Sequence, residues 1–94
     1  MELKNNDIIK FKGDMFIVVE KMETESNEHY VLLYSLAQKG AVTICKEEKE
    51  EGVLTKVKNE YLFTKLMQNF SELIKSRMLK EHQIRIVEDE NDNQ

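Results

Sequence analysis

The chain has no tryptophan, no proline, one cysteine and only three glycines. A lone cysteine excludes an intramolecular disulfide and fits a reducing compartment. Three scattered glycines, Gly13, Gly40 and Gly52, cannot build a glycine-rich phosphate loop, which argues against a nucleotide-dependent enzyme. No apolar run approaches the roughly 18 residues of a membrane span, and the polar start Met1 to Asp7 lacks the apolar core of a signal peptide. A cytoplasmic location is the resulting expectation. The chain also lacks a dominant charge once its end is set aside. Of 18 acids, four lie in the last seven residues, Glu88 to Gln94, and the remaining 14 balance the 14 Lys and Arg. A neutral body lacks both the basic excess that drives phosphate binding and the acidic surface of a DNA mimic.

What is present is 94 residues, 40% hydrophobic and 34% charged. This length fits one domain, read as residues 1–87 followed by a disordered acidic tail over 88–94. β-Branched and aromatic runs exclude disorder throughout. Ile8 to Lys12 and Met15 to Met22 read as a hairpin, with Gly13-Asp14 supplying a type II′ turn. After the polar loop 23–28, His29 to Leu36 reads as a second central strand. Ala41 to Cys45 and Val53 to Val57 follow, separated by the acidic loop Lys46 to Gly52. From Asn59, a capping residue, the period becomes helical. Phe63, Leu66, Met67, Phe70 and Ile74 form one stripe, and the helix is expected to end near His82. Ile84 to Val87 reads as a last short strand or an extended segment. The sum is an α+β domain: a small antiparallel sheet of about five strands, open or curled in an SH3-like manner, with one C-terminal amphipathic helix.

The order of these elements carries a resemblance. An apolar strand, a polar turn, the strand Tyr30-Val31-Leu32-Leu33-Tyr34-Ser35-Leu36, a short strand, an acidic loop and the helix from Asn59 to Met78 resemble the small acidic YrzB-like proteins of Gram-positive bacteria. The resemblance covers roughly residues 13 to 78. It implies a cytoplasmic bacterial domain and carries no catalytic residues to transfer. The lysine-flanked first strand with its Gly-Asp turn is also similar to small SH3-like barrels.

No catalytic constellation emerges. Cys45, His29 and His82 match no metal-ligand or nucleophile spacing, and a cysteine ending an apolar strand is usually buried and inert. No cofactor or metal is expected. Asp89, Asn91 and Asn93 mimic the start of a calcium loop but lack its glycine and distal glutamate. Asn69-Phe70-Ser71 is a formal glycosylation acceptor placed on a helix. Glu20 stands out as an acid in an apolar strand, where burial would demand a partner such as a lysine or a backbone N–H, and a strand end tipping into solvent would not.

The feature with most leverage is an excess of apolar sheet surface. Phe16, Val18, Tyr30, Leu32 and Tyr34 are expected on one face, and Ile17, Val19, Val31 and Leu33 on the other. A single helix covers one face. The other must be closed by curvature, a second copy or a partner, because each wet side chain forgoes about 1.5–3 kcal/mol. The primary expectation is therefore a non-enzymatic protein-interaction module, a small bacterial or phage accessory or inhibitor protein, binding a protein partner or dimerising through Ile17, Val19, Val31 and Leu33. Lys75, Arg77, Lys80 and Arg85 form a basic patch that helix-dipole complementarity largely explains and that the acidic tail could engage. The alternative is a nucleic-acid-binding SH3-like barrel using Lys10, Lys12, Arg77 and Lys80, with Tyr30 or Tyr34 for stacking.

Overall fold

A computed structural model describes residues 2–82. Its elements are β1 (Ile8–Phe11), β2 (Asp14–Glu23), β3 (His29–Ser35), β4 (Val42–Glu47), β5 (Leu54–Lys56) and α1 (Glu60–His82). The strands form one antiparallel sheet in sequence order, curled into a half-barrel, and α1 packs on its convex face. The expected segments Ile84 to Val87 and 88–94 lie outside the described residues.

The β1–β2 turn differs from the sequence expectation. Phe11 pairs with Asp14, so the two loop residues are Lys12 and Gly13, with φ of 53° and 87°. Left-handed backbone at both positions makes a type I′ turn, whose twist matches that of the flanking strands. Lys12 accepts a conformation that favours glycine, and its ammonium lies 5.6 Å from the centre of the Phe11 ring.

The β2–β3 register contains a bulge. Val18 pairs with Leu33 and Glu20 pairs with Leu32, leaving Val19 as the extra residue. This single insertion reverses the parity of β2 halfway along. Before it, Phe16 and Val18 point to the concave face; after it, Glu20 and Met22 share the convex face with Leu32 and Tyr30. The face assignment read from the sequence is corrected accordingly. Phe16 and Val18 cluster with Val31, Leu33 and Cys45 inside the half-barrel. Tyr30 and Leu32 join Val19 under the helix.

Curvature closes most of the concave face. Leu3, from the segment before β1, plugs it, and Ile9, Phe11 and Leu54 pack around the rim. On the convex face Leu66 and Phe70 of α1 meet Tyr30, Leu32 and Ile44, flanked by Phe63, Met67 and Ile74. Asn59 caps the helix as its chemistry dictates: its Oδ1 accepts from the Leu62 N–H at 2.9 Å.

Candidate interaction surface

The ladder pairings place four residues in one row across four strands. Ile8 is opposite Ile17, Ile17 opposite Tyr34, and Tyr34 opposite Val42. The row lies on the convex face, beyond the cluster that α1 covers. Its outer members are open, Ile8 at 59% and Val42 at 38% exposure, whereas Ile17 and Tyr34 are half-buried. Met15 and Leu36 extend the row, exposed at 43% and 51%, and the Leu36 N–H donates to the Met15 carbonyl at 3.0 Å. Among the described residues this is the broadest run of exposed apolar side chains on the sheet.

The sequence-predicted contact set does not form one surface. Val31 and Leu33 are fully buried in the concave core, while Ile17 and Val19 are half-buried on the convex side, Val19 under the helix. Pairing register, invisible in either strand alone, separates them. Ile8, Met15, Leu36 and Val42 carried no sequence signal beyond being apolar. Leu3 was equally silent.

Glu20 is half-buried and partnered. Its side chain is 14% exposed and accepts from the Arg77 guanidinium and, at 3.3 Å, from the Asn5 amide. The bulge aims Glu20 at the helix, so the pair clamps the last quarter of α1 to β2 and to the N-terminal segment. Arg77 thereby leaves the basic patch. Lys75 lies 3.8 Å from Glu72 on the helix surface, Lys80 is exposed, and Arg85 lies outside the described residues.

The residues expected to stack on bases have other roles. Tyr30 is buried and its hydroxyl donates to Glu28 at 3.2 Å; the Tyr34 hydroxyl accepts from the Gly40 N–H at 3.0 Å. Lys46 donates to Glu28 at 3.2 Å, which lowers the Glu28 carboxyl below its usual range and raises the Lys46 ammonium. Burial, then the neighbouring Glu28 charge, pushes the Tyr30 phenol up. Lys10 and Lys12 are exposed on the first hairpin.

Cys45 faces Val31 across the ladder, and His29 faces Glu47, so no thiol–imidazole pair exists between them. Cys45 is fully buried, and burial pushes its pKa up to about 11. A disulfide reagent at pH 8 is expected to label the folded protein at least about a hundredfold more slowly than the denatured chain, because a buried thiol is both shielded and protonated. Equal rates would place Cys45 at the surface. The raised pKa also means that this thiol's contribution to stability is intact below its ordinary pKa of about 9 and is lost as pH rises towards 11. Among the described residues no group of three or more His, Cys, Asp or Glu side chains is placed to hold a metal, and no helix is long and apolar enough to cross a membrane.

Together these features define a small α+β domain, a curled half-barrel sheet with one helix, that presents an apolar row on its convex face. Comparison with family models, with curated proteins and with solved structures gave no match. The resemblance to YrzB-like proteins therefore rests on the order of elements alone.

Proposed function

We propose that this protein is a non-enzymatic interaction module that docks another protein surface, a second copy of itself being the simplest, on the row Ile8, Ile17, Tyr34 and Val42 with Met15 and Leu36. One observation carries this reading: Ile8, Met15, Ile17, Tyr34 and Val42 on one face of the sheet, with Leu36 just past the end of β3, bring together six apolar side chains, four of them exposed, on the side that also carries the helix. Contiguous apolar surface of this kind on a small domain marks an interaction site. The convex face of a hydrogen-bonded sheet supplies a preformed shape, as interface cores require.

The test compares the native chain with a Met15→Lys/Leu36→Lys double variant. Both positions are exposed, so the fold should survive with its far-UV circular dichroism unchanged. Light scattering across a hundredfold range of concentration, and capture from cell lysate, should show an association that the native chain makes and the variant loses. A native chain that stays monomeric and retains the same proteins as the variant would refute the proposal.

A further inference from the structure

The helix carries the chain across the convex face to one end of the apolar row. It begins beside β4, where the Val57 N–H donates to the Ile44 carbonyl at 2.9 Å, and it is held near its other end, where Arg77 donates to Glu20 of β2. Glu20 also accepts from Asn5, three residues before Ile8. His82, five residues or about 7.5 Å of helix beyond Arg77, therefore lies at the β1 side of the sheet, where the row begins with Ile8. Two exposed lysines border the row. Lys10 is opposite Met15, and Lys39 precedes Gly40, whose N–H donates to the Tyr34 hydroxyl at 3.0 Å. The acids of the first two strands point elsewhere: Asp14 is opposite Phe11 on the concave side, and alternation puts Asp7 there with Ile9. Of the helix cations, Arg77 is held by Glu20, and Lys75 lies 3.8 Å from Glu72.

We infer that the chain's own residues 84–92 lie across the row and compete with any partner for it, an inference that rests on reading the row as a docking surface. Chain length permits this. Twelve residues follow His82, an extended reach of about 40 Å, whereas a row crossing four strands is only about 14 Å long. In an extended segment, alternation sets Ile84 and Ile86 on the same side as Glu88, Glu90 and Asp92. The two isoleucines would cover Ile8, Ile17 and Tyr34, the part of the row next to His82. The carboxylates that follow would reach the β3–β4 turn and Lys39. Charge is complementary there, since residues 88–92 hold four acids and no base. A segment that occupies the row nine-tenths of the time weakens a partner's apparent affinity about tenfold.

The test uses the full chain, isotopically labelled, and compares its amide and methyl resonances with those of two full-length variants. Ile84→Ser/Ile86→Ser should shift Ile8, Ile17 and Tyr34, with Met15 and Leu36 beside them, and Glu88→Gln/Glu90→Gln should shift Lys39 and Gly40. Both sets of shifts should be the same across a hundredfold range of concentration, as an intramolecular contact requires. The first variant should also associate through the row about tenfold more tightly than the native chain. No shift at the row, or shifts confined to Ile8 and Lys10 along the β1 edge, would overturn the inference. So would a Lys39 amide unmoved by the second variant, or shifts that appear only at high concentration, which would assign the row to a second copy. The two readings fail separately. An association lost in Met15→Lys/Leu36→Lys but unchanged in Ile84→Ser/Ile86→Ser removes the competing segment and leaves the docking row, whereas row shifts in a chain that binds nothing keep the segment on the row and refute the docking.

Discussion

Replacing Val31 with aspartate is expected to abolish cooperative folding at neutral pH. Val31 is fully buried on the central strand, between Lys21 on β2 and Cys45 on β4, and its side chain lies among Leu3, Phe16, Val18 and Leu33. A carboxylate there would have no partner. Its desolvation costs several kcal/mol, against a total stability of about 5–14 kcal/mol for a chain of this length. The loss has a pH signature. Burial raises the folded-state pKa of the new carboxyl, so the variant is most stable where that group is protonated in both states and weakens as pH rises. Partial recovery of the fold near pH 4 in thermal melts is the expected result. Ile8→Asp, in the exposed row, should fold normally at pH 7. If Val31→Asp folded at neutral pH and lost only association, Val31 would belong to an interface and the half-barrel core would be wrongly placed.

Phe70→Ala is expected to cost about 3–5 kcal/mol, the usual penalty for emptying a fully packed aromatic site. Among the described residues Phe70 is the largest fully buried side chain, and it packs in the contact between α1 and Tyr30, Leu32 and Ile44. The helix adheres through little else on its inner stripe: Leu66 is the only other member of that stripe to be buried outright, and Phe63, Met67 and Ile74 are half-buried. Denaturant titration should show the midpoint falling with the far-UV and near-UV signals still coincident. Leu73→Ala, on the exposed flank of the same helix, should cost under about 1 kcal/mol. A Phe70→Ala penalty as small as that of Leu73→Ala would mean that the helix is not docked on the sheet.

Part of this architecture was legible because local chemistry dictates it. The helical stripe from Phe63 to Ile74, the cap at Asn59 and the five strands follow from periodicity and side-chain hydrogen bonding, which act within a few residues. The first turn lies one residue earlier than the sequence suggests. A glycine suits either a type II′ first position or a type I′ second position, and only the Phe11–Asp14 pairing distinguishes the two. Glu20 was recognisable as anomalous, but its partner is 57 residues away, and no local pattern connects it to Arg77.

The sequence by itself determined the class of the domain, the order of its elements, the inertness expected of Cys45 and the lack of any recognisable catalytic spacing. Tertiary structure alone decided which face each strand residue occupies. The alternation of a strand has a period of two, so it specifies two faces without naming them; pairing register and the bulge at Val19 assign them. This is why Val31 and Leu33, expected at a surface, became core. It is also why Ile8, Met15, Leu36 and Val42, unremarked apolar residues on four different segments, came together as the open row.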